Sequence, residues 1–263
     1  MKKIAICGKG GSGKSTIAAL LANGIRDNGY HVLVIDSDES NSTLYRTLGF
    51  ENAPRLLMEL AGGREGVRQN ISPRVPVAES RAPIGILSQD TIQISDIPPQ
   101  YIMTRNGISL MSIGKIVQSL EGCGCLMGVL SREFLKKLHL KSDEVVLVDM
   151  EAGVEHFGRG IETSVDTIII VVEPSFESLE LAEKMNSLAT GIGISNIWII
   201  LNKITSQELA SKLKTELTKR NLAVVGFINY DADIFEACLE GHQIYNSKTK
   251  DGMEIILNTL MEK

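Results

Sequence analysis

The stretch from residue 8 to residue 16 restricts the possible folds of this chain more than any other stretch does. It follows a short apolar run at 4–7 and precedes a second, helix-compatible apolar run at 16–22. A G-x-x-x-x-G-K-[ST] pattern between a strand and a helix is that of a phosphate-binding loop, because its backbone N–H groups can surround a phosphate and the helix turns its positive end toward the anion. We predict that the nucleotide-binding residues of this loop are Gly8, Lys9, Gly10, Gly11, Ser12, Gly13, Lys14, Ser15 and Thr16.

Three side chains of this loop matter for its chemistry. Lys14 places a cation at the β and γ phosphates, and Ser15 offers a hydroxyl ligand to Mg²⁺. Lys9 is a second lysine, directly after the first glycine. It is not needed to bind the phosphates of a nucleotide held by the same chain. A glycine-rich turn that binds no ligand is the alternative, but the motif and both flanking runs agree on a nucleoside triphosphate site.

The composition is that of a globular protein, with 43% hydrophobic and 22% charged residues in a chain of 263. A chain of this length can form one large core, and we predict a single domain over 1–263. The net charge of −5 argues against nucleic acid and anionic membranes as partners. The longest apolar runs are too short to cross a bilayer, and the first residues show no signal pattern, so we expect a cytoplasmic protein.

Apolar runs alternate with amphipathic segments along most of the chain. This order predicts a mostly parallel sheet flanked by helices on both faces, the α/β architecture of a P-loop NTPase. We predict strands at 3–7, 32–35, 109–113, 145–148, 167–172, 196–201 and 223–228. We predict helices at 14–28, 43–48, 55–60, 127–138, 177–189 and about 209–217, followed by two short helices. An irregular excursion at about 62–110, rich in glycine and proline, contains at most a hairpin.

Carboxylates follow two of the predicted buried strands. Asp36 and Asp38 come after 32–35, and Asp149 comes after 145–148. Ligands of open α/β sheets bind at the carboxyl ends of the strands. We therefore predict that Asp36, Asp149 and Ser15 bind Mg²⁺, and that of Asp36 and Asp38 one holds a metal-bound water and the other positions the attacking water. Capping of the next helix and a simple turn are the alternatives for these carboxylates.

Asn202 closes the predicted strand at 196–201 and carries both a hydrogen-bond donor and an acceptor. This suits the edge of adenine, which presents both kinds of group, although an asparagine in an ordinary turn has the same appearance. We predict that Asn202 binds the base of the nucleotide.

These features together resemble the deviant Walker A ATPases, the family of MinD, ParA and the nitrogenase iron protein. The resemblance rests on residues 9–15, on 36–38 as switch I and on 149–153 as switch II, and it covers nearly the whole chain. It implies ATP and Mg²⁺ as cofactors, ATP hydrolysis to ADP and phosphate, and a nucleotide-dependent homodimer in which Lys9 reaches the phosphates of the partner. It also implies that Lys9, Lys14 and Asp38 are catalytic, with Asp38 orienting the attacking water, and that Tyr230 contacts adenosine.

Two of the four cysteines, Cys123 and Cys125, form a C-x-C pair with a glycine between them. A thiolate site for a metal such as Zn²⁺ wants four ligands, and this loop of one chain offers two. A two-fold dimer would supply the other two, which gives a four-sulfur site for Ni²⁺ or Zn²⁺, or for Cu(I). Two incidental thiols are the alternative. Cys7 and Cys238 have apolar neighbours in the sequence, and we predict that both lie in the core.

The cysteine loop and the stretch 149–160 are also similar to those of the CooC-type ATPases, which assist nickel insertion into carbon monoxide dehydrogenase. This similarity implies an ATP-dependent metallochaperone whose client is a metalloenzyme, such as carbon monoxide dehydrogenase. An electron donor like the nitrogenase iron protein is one alternative, but no cysteine lies between 125 and 238 to supply its second ligand position. A positioning ATPase of the MinD or ParA kind is the other, but the 253–263 tail has one lysine and the chain has no basic excess.

Overall fold

The computed structural model describes residues 2–70, 85–116, 124–244 and 249–261. Its strands are β1 (Lys3–Gly8), β2 (His31–Ser37), β3 (Met103–Arg105), β4 (Ile108–Ser112), β5 (Glu144–Met150), β6 (Thr167–Val172), β7 (Ile197–Ile204) and β8 (Val224–Asn229). Its helices are α1 (Lys14–Asp27), α2 (Leu44–Thr47), α3 (Leu57–Leu60), α4 (Gly63–Asn70), α5 (Cys125–Lys137), α6 (Glu155–Arg159), α7 (Phe176–Gly191), α8 (Gln207–Lys219), α9 (Ala232–Glu240) and α10 (Lys250–Met261).

The strands form one 8-stranded sheet in the order β3-β4-β2-β5-β1-β6-β7-β8. All neighbours are parallel except β3 and β4, which form an antiparallel hairpin at one edge. Parallel neighbours place their carboxyl ends along the same edge of the sheet, so β1, β2, β5, β6 and β7 bring the residues that follow them together. The predicted mostly parallel sheet with flanking helices is confirmed.

The sheet is buried on both faces because side chains alternate along each strand. In β1, Ala5 and Cys7 face a core that α5, α7 and α8 cover, whereas Ile4 and Ile6 face a second core that α1 and α10 cover. This arrangement explains why the strands read as continuous apolar runs rather than as alternating ones. The helix that follows the glycine-rich loop is thereby fixed against the centre of the sheet.

The close approach of α1 and α10 depends on a residue without a side chain. Gly24 lies in the middle of α1, and a Cβ there would overlap Leu257 of α10 and lie 3.4 Å from Met253 Cγ. Glycine inside a helix costs about 0.5–1 kcal/mol relative to alanine, and here it admits the neighbouring helix. None of the described helices combines the length and the apolar character needed to cross a bilayer.

Several predicted boundaries differ from the observed ones. The strand predicted at 109–113 is β4, and with β3 it forms a hairpin of the kind expected in the irregular stretch. The helix α4 was not expected in that stretch, and residues 71–84 of the stretch lie outside the described residues. The final helix α10 runs for 12 residues and is not short. Cys7 is buried as predicted, whereas the prediction that Cys238 lies in the core is wrong, because α9 leaves its thiol exposed.

Candidate nucleotide-binding site

The glycine-rich loop between β1 and α1 has a backbone that only glycine accommodates at two points. Gly8 has a φ of 149°, and a Cβ there would lie 2.6 Å from the carbonyl oxygen of Val171 in β6. Gly13, the residue before α1, has a φ of 97°, and a Cβ there would overlap the amide nitrogen of Asn202. L-residues rarely adopt such φ values. These two glycines therefore allow the loop to adopt its backbone conformation and to pack closely against β6 and β7.

The first turn of α1 presents backbone N–H groups that no side chain caps, since the residue at its N-cap is Gly13. Free N–H groups and the helix dipole make such a terminus suited to an anion. Lys14 is buried beside them and donates to the carbonyl of Lys9 at 3.4 Å. The Ser12 hydroxyl is buried and has no hydrogen-bond partner among the described residues. This loop offers donors to a phosphate, as the motif predicts.

Ser15, Asp36 and Asp149 lie together at the carboxyl edge of the sheet. Asp36 and Asp149 are paired neighbours on β2 and β5, and the Ser15 hydroxyl donates to Asp149 Oδ2 at 2.6 Å. Asn41, a residue that sequence reasoning missed, donates to Ser15 Oγ at 2.8 Å. Asp149 Oδ1 is buried without a hydrogen-bond partner among the described residues. A hydroxyl and two carboxylates in this arrangement fit the oxygen preference of Mg²⁺.

The electrostatics of this edge favour a cation. Burial raises the pKa of Asp149 to about 7, and the charge of Asp36 adds to this rise, while the Ser15 hydrogen bond and the charge of Lys14 oppose it. Burial also raises the pKa of Asp36 to about 6, although Lys115 forms an ion pair with it at 2.7 Å. Two carboxylates that repel each other in a buried place gain from a divalent cation between them.

Asp38 makes local contacts in this structure. Its Oδ1 accepts from the Ser40 backbone N–H at 2.9 Å and from the Ser40 hydroxyl at 2.6 Å. Lys115, which was not predicted as a site residue, donates to the Asp38 carbonyl at 2.5 Å. It therefore contacts both Asp36 and Asp38. These contacts are of the local capping kind, and the role of Asp38 in orienting a water stays a prediction.

Lys9 is held by acidic residues of its own chain. Its ammonium group lies 2.9 Å from Glu177 Oε2 and 3.4 Å from Glu173 Oε1. The hydrogen bond to Glu177 raises the pKa of Lys9. Lys203 also pairs with Glu173 at 3.0 Å and donates to the carbonyl of Gly11 at 2.5 Å. The cross-dimer role of Lys9 stays a prediction, and in this single chain its partners are carboxylates.

A cavity of about 240 Å³ opens directly beside the glycine-rich loop. Of the predicted residues, Gly11, Gly13, Thr16, Asn202 and Tyr230 line it. The Asn202 amide nitrogen donates to the Ser12 carbonyl at 2.8 Å, so Asn202 also holds the loop in place. An apolar and aromatic wall next to a phosphate loop is suited to the flat base of a nucleotide. The remaining lining residues are Lys203, Ile228, Asn229, Asp231, Ile234, Phe235 and Cys238.

Part of this wall was missed from the sequence. Phe235 and Cys238 lie on the cavity-facing side of α9; the Phe235 ring is 6.3 Å from that of Tyr230, and Cys238 Sγ is 3.7 Å from Thr16 Oγ1. The sequence pattern that could have identified these residues is the helical spacing of apolar residues in α9, directly after the loop that carries Tyr230.

The cysteine loop is described only in part. Cys123 lies outside the described residues, and Cys125 is exposed as the first residue of α5. The backbone of Gly124 packs against the carboxylate of Glu39, which follows Asp38 in the segment after β2. Within the parts of the chain that the structure describes, no group of three or more His, Cys, Asp or Glu side chains is arranged to hold a metal ion. Metal binding by the C-x-C pair stays a prediction.

Known proteins resemble this chain over nearly its full length. It is 39% identical over 256 residues to an uncharacterized ATP-binding protein of Methanocaldococcus jannaschii, covering 97% of this chain and 99% of that protein. It is 34% identical over 264 residues to the carbon monoxide dehydrogenase accessory protein CooC of Rhodospirillum rubrum, covering 99% and 97%.

Solved structures and a family description agree with the fold. The septum site-determining protein MinD of Pyrococcus horikoshii OT3, complexed with Mg-ADP, superposes with a TM-score of 0.68 at 20% identity, covering 98% of this chain and 95% of that one. Residues 3–244 match the family described as the CobQ/CobB/MinD/ParA nucleotide binding domain. The loop, the carboxylates at the ends of β2 and β5 and the adjoining cavity are the parts that a nucleotide site of this kind needs, and this chain belongs to the CobQ/CobB/MinD/ParA family of nucleotide-binding domains.

Proposed function

We propose that the protein is a cytoplasmic, ATP-dependent metallochaperone. ATP closes a homodimer, Cys123 and Cys125 of both chains gather Ni²⁺ or Zn²⁺, and hydrolysis of ATP releases the metal to a client enzyme such as carbon monoxide dehydrogenase. The metal is cargo in this scheme. The observation that carries the proposal is the place of Cys125, which begins α5 beside the segment after β2, in a chain 34% identical to a carbon monoxide dehydrogenase accessory protein.

The residues around the phosphate loop support the hydrolytic part. The N-terminus of α1 and Lys14 bind and orient the β and γ phosphates, while Ser15, Asp36 and Asp149 would hold Mg²⁺, which neutralises phosphate charge when bound. Asp38 follows two residues after Asp36 and orients the attacking water at the γ phosphate once its contact with Ser40 is exchanged. Lys9 leaves Glu173 and Glu177 to reach the phosphates of the partner.

The proposed homodimer is supported by the number of sulfur ligands that the metal needs, which is four. A C-x-C pair supplies two thiolates, and a two-fold axis that passes near Cys125 would bring two more. Closure by ATP then assembles a site that opens again after hydrolysis. Soft thiolates suit both nickel and zinc, so the supply of metal and the client decide between them.

The test measures metal binding and oligomeric state in the same samples. The full chain is loaded with Ni²⁺ or Zn²⁺ in the presence of ATP or ADP, and metal content is read across a size-exclusion profile. We expect about one metal ion per dimer for the wild type, because a tetrahedral site uses four thiolates and each chain supplies two. The Cys123→Ser/Cys125→Ser variant should lose this metal while it still binds ATP and ADP.

Three results would contradict the proposal. Undiminished metal binding by the Cys123→Ser/Cys125→Ser variant would exclude the cysteine site. Iron with a brown, oxygen-sensitive colour after anaerobic purification would favour an electron donor of the nitrogenase iron protein kind. ATP-dependent cosedimentation with DNA or liposomes would favour a positioning ATPase.

A further inference from the structure

A partly buried charge cluster joins the two segments that follow β2 and β5. Arg159, the last residue of α6, places its Nη1 at 2.6 Å from Glu151 Oε1 and 3.4 Å from Glu39 Oε1. Glu39 comes directly after Asp38, and Glu151 lies just beyond Asp149. The three side chains are only 11–15% exposed. We refer to Glu39, Glu151 and Arg159 as the switch cluster.

The switch cluster rests on the start of α5 at two glycines. A Cβ on Gly124 would overlap the Glu39 carboxylate, and a Cβ on Gly128 would lie 2.5 Å from Arg159 Cδ. Positions one turn apart share a helix face, so both contacts are on the side of α5 that faces the cluster. The glycine between the two cysteines thus has a packing reason, because it makes room for Glu39.

The charges within the cluster explain why its members stay together. Burial opposes the charged form of Arg159, but its interactions with the carboxylates of Glu151 and Glu39 outweigh this effect and raise the pKa of Arg159. Two carboxylates this close would repel each other without the guanidinium group between them. The backbone carbonyl of Arg159 also accepts from Arg132 of α5 at 3.1 Å. Arg159 is therefore attached to α5 and to both acidic segments.

We propose that Arg159 is a positioning residue that transmits the nucleotide state to Cys125. In the proposed site, the segments after β2 and β5 directly follow Asp36 and Asp149, the carboxylates assigned to Mg²⁺, so a shift of either segment on nucleotide exchange moves Glu39 or Glu151. Arg159 couples that movement to the start of α5, because it pairs with both glutamates and packs on Gly128. This inference rests on the proposed function, and it assigns the regulation of the cysteine loop to a side chain outside both the metal and the nucleotide sites.

The test measures the accessibility of Cys125 in two nucleotide states. The full chain, without added nickel or zinc, is incubated with Mg²⁺ and either ADP or a non-hydrolysable ATP analogue, and alkylation of Cys125 by N-ethylmaleimide is followed by peptide mass spectrometry. We expect the wild-type rates in the two states to differ by about fivefold or more, the lower end of ordinary allosteric coupling. Arg159→Ala should bring the ratio close to one while both nucleotides still bind. Arg159→Lys should restore part of the ratio, which a merely structural role would not require.

Matched variants keep the test specific. Arg220→Ala removes an arginine that pairs with three glutamates of α7 and α8, Glu180, Glu183 and Glu216, at 2.5, 2.8 and 3.4 Å, and should leave the ratio unchanged. Glu39→Gln keeps the side-chain volume and should lower the ratio if Arg159→Ala does not fold.

Two outcomes would overturn the inference. One is a wild type whose Cys125 rates are equal in both states, and the other is an Arg159→Ala variant that keeps the wild-type ratio. Because thiol alkylation needs no metal, failure of the metal site and failure of this coupling are separate results.

Discussion

The contact between Gly13 and Asn202 gives a prediction whose size follows from the structure. Gly13→Ala adds a methyl group at a φ of 97° and directs it into the Asn202 amide. A left-handed conformation costs an L-residue about 1–2 kcal/mol. Asn202 is buried, so moving it breaks its hydrogen bond to the Ser12 carbonyl and leaves a buried polar group unpaired, at about 1–3 kcal/mol. Together the change should lower the free energy of unfolding by about 2–5 kcal/mol.

Gly29→Ala is the matched control for this prediction. Gly29 has a similar φ of 89°, but a Cβ there meets nothing within 4 Å. Its replacement should therefore cost only the conformational strain, about 1–2 kcal/mol. Urea unfolding followed by the fluorescence of the single tryptophan, Trp198 in β7, measures both variants in the absence of nucleotide.

A third variant isolates the contact itself. With Asn202→Ala in place, the methyl group of Gly13→Ala has no amide to displace, so its added cost should fall to that of Gly29→Ala. Equal costs for Gly13→Ala and Gly29→Ala in the wild-type background would refute the reasoning. So would strict additivity of Gly13→Ala and Asn202→Ala.

Three further predictions concern function and pH. Lys9→Ala should lower the rate of ATP hydrolysis about a hundredfold or more while nucleotide binding persists, because a cation at the transferred phosphate is lost; a normal rate of phosphate release would contradict the cross-dimer role. Burial raises the pKa of Asp149 to about 7, so the folded state holds the proton more tightly than the unfolded state and loses stability as pH rises toward that value. Without Mg²⁺, the melting temperature of Asp149→Asn relative to that of the wild type should therefore rise between about pH 4 and pH 7, the window between the unfolded and the folded pKa of Asp149, and a constant difference would contradict this. Tyr230→Ala and Phe235→Ala should each weaken binding of a fluorescent ATP analogue about fivefold to a hundredfold through lost stacking. Leu239→Ala should not, because Leu239 is an exposed residue of α9 that does not line the cavity.

The glycine-rich loop and the two aspartates near it could be predicted because each belongs to a short, continuous sequence pattern. The motif at 8–16 carries its own strand and helix context, and Asp36 and Asp149 follow buried strands whose carboxyl ends meet because the strands are parallel neighbours. Boundaries were less accurate where a tertiary contact extends an element. The strand β7, for example, runs through Lys203 at a φ of 59°, and Lys203 bonds to the Gly11 carbonyl.

The residues that were missed have partners far away in the chain. Lys115 contacts Asp36, Asn41 contacts Ser15 and Arg159 contacts Glu39, and no periodicity links such pairs. Cys238 illustrates the opposite error. Its neighbours are apolar, but the apolar side of α9 covers a cavity rather than a solid core, and apolar spacing does not distinguish these two surroundings.

The ion pairs that Lys9 makes within its own chain bear on the thermodynamics of association. If Lys9 moves from Glu173 and Glu177 to the phosphates of a second chain, closing the dimer exchanges one set of ionic contacts for another instead of adding a new set. The gain and the loss are both weakened by salt, since the Glu177 side chain is 76% exposed. Nucleotide-dependent association should then respond less steeply to ionic strength than the number of phosphate contacts alone implies. Replacing Glu177 by glutamine should make that response steeper, because the free chain then loses one ion pair fewer when Lys9 moves to the partner.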